Sequence, residues 1–277
     1  IQPKNFIKKL MAKKITAIAF DYIKDTEGLL PIVSAMSEIA GNAAILIAAE
    51  YLSNVRKGQG QLFGGISGVS PTEVVILGAG TVGEFAARSA LGLGAAVKVF
   101  DNNTNKLRRL QALLGQRIAT SIIQPKVLEK ALKTADVVVG AISSSVGRAP
   151  IVVTEDMVSK MKDFSVIVDV SIDKGGCIET SEVTSHDAPI FSKYGVIHYC
   201  VPNIASRVAR TASYALSNVI TPTILDTGEY GGLETMIKSY QGIQNGVYIY
   251  KGVLTNKYLA ETFGLPYKDI NLLLMAM

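Results

Sequence analysis

The 277-residue sequence predicts an α/β protein built on a doubly wound parallel sheet. Three observations carry that prediction. Six short apolar runs lack polar alternation, as strands covered on both faces do. Helix-patterned segments separate most of them. The first strand-to-helix turn is Gly78-Ala79-Gly80-Thr81-Val82-Gly83, a G-x-G-x-x-G sequence.

That turn organises the chain. Val74 to Leu77 is the first strand, and Val82, Ala86, Ala90 and Leu93 mark one stripe of the next helix. Gly92 and Gly94 stop the helix, and the second strand, Val97 to Phe100, ends in Asp101. With 25 glycines in the chain the motif alone is weak evidence; strand, turn, helix, strand and acid together read as a Rossmann-type dinucleotide site. Gly78 allows a sharp turn, Gly80 lets the backbone approach a pyrophosphate, and Gly83 lets the helix pack on the sheet. The N–H groups of Ala79, Thr81 and Val82 belong to the same phosphate cradle. Asp101, 18 residues past Gly83, is placed to accept hydrogen bonds from a ribose 2′-OH and to repel a 2′-phosphate, which favours NAD over NADP. Lys106, Arg108 and Arg109 follow closely and soften that preference.

The remaining elements follow in order. Residues 1–14 read as a helix and Ile15 to Tyr22 as a strand. Pro31 to Leu52 is a long helix with Ala35, Ile39, Ala43, Leu46 and Ala49 on one face, and Pro31 suits its start. Two glycine clusters, 57–60 and 64–68, form a connector to the first strand. After Asp101, strands at 118–123, 136–141, 165–170 and 196–201 alternate with helices at 125–133 and 155–161, the latter capped by Thr154. The tail abandons the alternation, with helices at 211–220, 233–243 and 256–263 and a strand or hairpin at 248–254. Residues 32–209 therefore read as the dinucleotide-binding domain. Residues 1–31 and 210–277 read as the remnant of a second α/β domain.

Composition excludes several classes. Hydrophobic residues make up 48% and charged residues 18%, a globular balance. The net charge of +5 comes from scattered basic residues, so neither nucleic acid nor a membrane is expected as a partner. The longest apolar runs fall short of the roughly 18–20 residues that cross a bilayer. Cys177 and Cys200 are too few for a disulfide framework or a metal site, which fits a reducing cytoplasm. The chain does not open on methionine, Met11 sits in mid-helix, and no signal peptide is visible; the N-terminus reads as truncated.

Ligands of open α/β sheets bind beyond the carboxyl ends of the strands. That crest carries Gly80, Asp101, residues 142–145, Asp173 with Gly175 and Gly176, and Pro202-Asn203. Position alone leaves Asp173 open: a proton acceptor, an anchor for a substrate ammonium, or a turn aspartate capping its own loop. His198 lies inside a strand and reads as structural, and His186 as a surface residue. No metal-ligand spacing or Ser-His-Asp set is present.

Four stretches carry a family resemblance: residues 35–41 (AMSEIAG), the glycine turn, residues 166–177 (VIVDVSIDKGGC) and residues 198–203 (HYCVPN). From about residue 15 to its end the chain resembles alanine dehydrogenases, a group that includes the NAD-binding subunit of proton-translocating transhydrogenase. The acid before Gly-Gly-Cys is similar to the dehydrogenases rather than to that subunit.

The resemblance implies NAD-dependent oxidative deamination of L-alanine to pyruvate and ammonia, with Asp173 handling protons and the amine. It implies cofactor contacts at Ser37, Gly78, Gly80, Gly83, Asp101, Lys106, Ile142, Val170 and Asn203, a hinge around Ser37, and a homo-oligomer. The family's catalytic histidine would align at or just before Ile1, and its substrate-binding lysine and arginine match no position here, so the chain by itself is expected to bind NAD without turnover. Three stretches depart from the family: 143–148, Ile123 and 204–210. The loops at 143–148 and 204–210 motivate one alternative, a non-catalytic NAD-responsive module; a transhydrogenase NAD-binding subunit, of the same class, is the other.

Overall fold

A computed structural model describes residues 3–144 and 147–275. The chain divides into two compact units, residues 36–212 and residues 1–35 with 213–277.

The N-terminal elements are helix α1 (Lys4–Ala12), strand β1 (Ala17–Ile18) and a 3-10 turn (Phe20–Tyr22). The strand expected over 15–22 is thus two residues long, because the chain coils at Phe20. Helix α2 (Pro31–Leu52) has the expected bounds. By length and composition it is a candidate membrane span, with a mean hydropathy of 1.6. It packs as a core helix instead, burying Ala40, Ala43, Ala44, Ile45, Ile47 and Ala48 in the sheet's core. The expected stripe is rotated: Leu46 is 58% exposed, and the buried face is broader, alanines alternating with Ile45, Ile47 and Leu52. Gly41 sets that approach, since a Cβ there would collide with the Val82 carbonyl.

The larger unit then alternates β2 (Glu73–Leu77), α3 (Thr81–Gly92), β3 (Ala96–Phe100), α4 (Thr104–Leu114), β4 (Ala119–Ser121), α5 (Pro125–Thr134) and β5 (Val137–Gly140). It continues with α6 (Glu155–Val158), β6 (Val166–Asp169), β7 (Ile190–Lys193) and β8 (Val196–Tyr199). The sheet order is β4-β3-β2-β5-β6-β8-β7. All neighbours are parallel except the edge pair β7–β8. The six expected strands are the six parallel ones, and the fold is a Rossmann-type doubly wound sheet. The antiparallel edge strand β7 was not expected. Helix α6 is shorter than the expected 155–161, though Thr154 Oγ1 does accept from the Met157 N–H at 3.3 Å.

Both faces of the sheet are covered. Val74, Ile76, Val99, Val139 and Val168 pack in one apolar cluster with α2 and α3. Val75, Leu77, Val138 and Ile167 pack in another with α5 and α6. Because alternate residues of each strand enter opposite clusters, every position of β5 and β6 is buried. That is why these strands show no polar alternation.

The tail forms α7 (Ala209–Glu229), α8 (Leu233–Ser239), α9 (Gln241–Gln244), β9 (Val247–Tyr250), β10 (Val253–Leu254), α10 (Lys257–Phe263) and α11 (Ile270–Met275). Helix α7 extends nine residues beyond the expected 211–220 and carries Pro222 inside it. The helix expected over 233–243 breaks at Tyr240, and the expected hairpin is β9–β10. With β1 these two strands make a small antiparallel sheet.

Candidate functional site

The order β4-β3-β2-β5-β6-β8 reverses direction between β2 and β5, and a crevice at such a switch point receives a dinucleotide. Gly78 leaves β2 at φ 109°, a region closed to most side chains. A Cβ there would collide with the Ala141 carbonyl, and one on Gly83 would collide with the Gly78 carbonyl. A Cβ on Gly80 meets nothing within 4 Å. Two of the glycines are therefore demanded by packing, whereas Gly80 faces open space above the turn. Helix α3 begins behind it with no side-chain cap, leaving first-turn N–H groups for an anion. Thr81 and Val82 are half-buried in that turn.

Asp101 ends β3 beside the turn. Its Oδ2 accepts from the Ala79 N–H at 2.8 Å and its Oδ1 from the Asn103 N–H at 2.7 Å. Backbone groups thus fix the carboxylate's direction, and each oxygen keeps a second lone pair for a ligand hydroxyl. A cleft of about 150 Å³ runs beside it, lined by Gly78, Gly80, Asp101, Lys106, Ile123 and Ile142, among others. Lys106 is exposed in the first turn of α4. Ser143 also lines the cleft, and residues 145–146 of the same crest lie outside the described residues.

On the other side of the switch point, a 3-10 turn over Val170–Lys174 follows β6. Val170 is half-buried there and Asp173 exposed. Asp173 Oδ1 accepts from the Asn203 N–H at 2.8 Å, so the structure brings these two expected site residues together. Asn203 sits at φ 52°, ψ 54°, a left-handed conformation that is uncommon for a residue with a side chain. Ser37 is half-buried on α2, one turn before Gly41.

Several residues that shape the site were not singled out from sequence. Lys174 Nζ donates to the Ser144 carbonyl at 2.7 Å, and Arg148 Nη2 donates to the Gly175 carbonyl at 2.9 Å. These reciprocal ties join the loop after β5 to the loop carrying Asp173. Asp169 is 1% exposed at the end of β6. Burial pushes its carboxyl above the ordinary aspartate range, and hydrogen bonds from Ser181 and Cys177 act against that shift. An acid ending a wholly apolar strand was the available signal.

A model of the family "Alanine dehydrogenase/PNT, C-terminal domain" matches residues 44–257. An alanine dehydrogenase of Methanococcus maripaludis is 42% identical over 261 residues, spanning 94% of this chain and 70% of that protein. The chain belongs to the alanine dehydrogenase family. Alanine dehydrogenase 2 of Staphylococcus aureus is 40% identical over the same 94% of the chain and 70% of its own length. A solved L-alanine dehydrogenase superposes with a TM-score of 0.89 at 36% identity, covering 94% of this chain and 72% of that one. A transhydrogenase from Sinorhizobium meliloti has a TM-score of 0.74 at 21% identity, over 92% of this chain and 70% of that one, which shows a shared fold.

Two of the departures from the alanine dehydrogenase pattern fall on the site itself. Ile123 lines the cleft beside Asp101, and its N–H donates to Asn102 Oδ1 at 3.0 Å. The stretch 204–210 forms a 3-10 turn (Ile204–Val208) and opens α7; there Ser206 Oγ bonds His186 Nε2 at 2.8 Å, and Arg207 pairs with Glu50. Both contacts brace the turn that presents Asn203.

Proposed function

We propose that this chain carries the cofactor site of an NAD-dependent alanine dehydrogenase. The observation that carries this reading is the pairing of an intact glycine turn and Asp101 on one side of the switch point with Asp173, bound to the Asn203 N–H, on the other. The residues present fit the cofactor: Gly80 leaves room for a pyrophosphate and the uncapped start of α3 offers it N–H donors. Asp101 accepts from the adenosine ribose, and Lys106 and Ile142 flank the cleft. Val170, Asn203 and Ser37 complete the proposed contacts, together with Ala79, Thr81, Val82, Gly78 and Gly83 of the turn.

The overall reaction converts L-alanine, water and NAD to pyruvate, ammonium, NADH and a proton. Bound NAD supplies the acceptor for the hydride leaving Cα. Asp173 is the acid–base group. Its carboxylate is exposed, and the Asn203 N–H holds one oxygen, so the other is left to take a proton or to hold the amine. In a full-length enzyme containing this chain, Asp173→Asn should lower kcat by about 10² or more while leaving the NAD dissociation constant within about twofold. Unchanged turnover would remove Asp173 from the chemistry.

The chain by itself is proposed to bind NAD without turning over alanine, since the substrate-binding groups that the resemblance calls for match no position in it. Alanine-dependent NADH formation by this polypeptide would overturn that part. Calorimetric titration tests the cofactor directly: NAD should bind at least about tenfold more tightly than NADP, because a 2′-phosphate would face the Asp101 carboxylate. Equal affinities would take the selectivity away from Asp101. Self-association through α2, where Leu46 stands exposed on an otherwise buried stretch, belongs to the same reading and is measurable by sedimentation.

A further inference from the structure

The loop that carries Val170 and Asp173 is wrapped around one buried carboxylate. Asp169 Oδ1 accepts from the Ser171 N–H at 3.0 Å and contacts Cys177 Sγ at 3.6 Å. Its Oδ2 accepts from the Cys177 N–H at 3.0 Å and from Ser181 Oγ at 2.8 Å. One oxygen thus caps the start of the 3-10 turn and the other closes its return, eight and twelve residues further along the chain. Space has been cleared for it: a Cβ on Gly140 would lie 2.6 Å from Oδ1, and one on Gly176 would lie 3.0 Å from Oδ2.

The position of the loop gives this arrangement its consequence. The adenosine half of a dinucleotide lies on the β2–β3 side, where Asp101 is, so the nicotinamide half extends over β5 and β6. Val170 and Asp173 form the wall there. We infer that Asp169 is a positioning residue: by gathering Ser171, Cys177 and Ser181 it sets the nicotinamide side of the crevice and leaves the adenosine side untouched. The inference rests on the NAD reading above and goes beyond it by assigning a role to a residue that no ligand reaches.

Asparagine tests this well. Both oxygens are acceptors for backbone or hydroxyl donors, so whichever way the amide lies, its NH2 group faces an N–H donor and the loop must shift. The experiment compares NAD with ADP-ribose, which keeps the adenosine, both phosphates and the second ribose but lacks the nicotinamide ring. Calorimetry on the chain with Asp169→Asn should show NAD affinity lower by about tenfold and ADP-ribose affinity within about twofold of the unsubstituted chain. A residue that merely supports the fold would lower both affinities together or neither, and either result overturns the inference. Ser181→Ala removes one donor and keeps the carboxylate; a split of the same sign and about threefold is expected. It decides the matter if Asp169→Asn does not fold, and the absence of any split there counts against the inference. If the unsubstituted chain binds neither ligand, the cofactor reading itself fails, and this inference falls with it.

Discussion

Gly83→Ala should cost the chain about 3 kcal/mol of stability and abolish measurable NAD binding. A Cβ at that position collides with the Gly78 carbonyl and lies 3.5 Å from Ile76 Cγ2, so neither the turn nor the helix can yield without the other. Backbone atoms cannot rotate away as a side chain can, which places the effect at the upper end of overpacking costs. Gly80→Ala gives the contrast. A Cβ there meets nothing within 4 Å, and the backbone at φ −80°, ψ −168° suits any residue. Its stability should change by no more than about 0.5 kcal/mol. The methyl group nevertheless fills the space through which a pyrophosphate approaches α3, so NAD affinity should fall at least about tenfold. Urea unfolding and NAD titration of the two variants separate the roles. If Gly80→Ala binds NAD normally, the open space above the turn is not where the phosphates sit.

Much of the sheet could be read from sequence because its strands are covered on both faces. Val137–Gly140 and Val166–Asp169 are entirely buried, so they appear as unbroken apolar runs whatever their neighbours are. Strand β7 escaped for the opposite reason. It lies at the edge, its four residues are no more than half-buried, and Ser192 and Lys193 interrupt its apolar character. Helix α2 was found with the right bounds and a rotated face, since apolar Leu46 falls on the exposed stripe with Asn42 and Glu50. In α7 the Thr221-Pro222 step reads as a stop, yet the helix runs through it.

At the site the same division holds. The glycine turn and Asp101 announce themselves by local spacing, because a turn's steric demands are set by residues adjacent in the chain. The contact between Asp173 and the Asn203 N–H spans thirty residues, and the ties of Arg148 and Lys174 span about as many. Asp169 is informative only once Cys177 and Ser181 have folded back onto it. Such pairings depend on loop closure, which no periodicity records.

Acidification should destabilise the larger unit through one buried histidine. His198 is 0% exposed within β8, stacked on Phe191 with ring centroids 4.7 Å apart. Its Nδ1 lies 3.0 Å from the Val196 carbonyl, which can only accept, so Nδ1 carries the proton. Nε2 then accepts from Thr180 Oγ1 at 2.8 Å, and both ring nitrogens are satisfied in the neutral form. Burial lowers the pKa from 6.5 to about 4. The unfolded chain therefore takes up a proton below about pH 6.5 that the folded chain refuses until about pH 4. The stability that neutral His198 confers is complete above pH 6.5 and is lost as the pH falls toward 4. At about 1.4 kcal/mol per unit the loss approaches 3 kcal/mol. Urea midpoints at pH 7 and pH 4.5 should therefore lie further apart for the unsubstituted chain than for His198→Gln, a neutral group with a donor and an acceptor of its own. Comparing the two chains cancels the carboxylates, Asp169 included, whose titration both share. Equal pH dependence in the two would mean that His198 accepts a proton in place, and that its hydrogen bonds to Thr180 and Val196 do not hold it neutral.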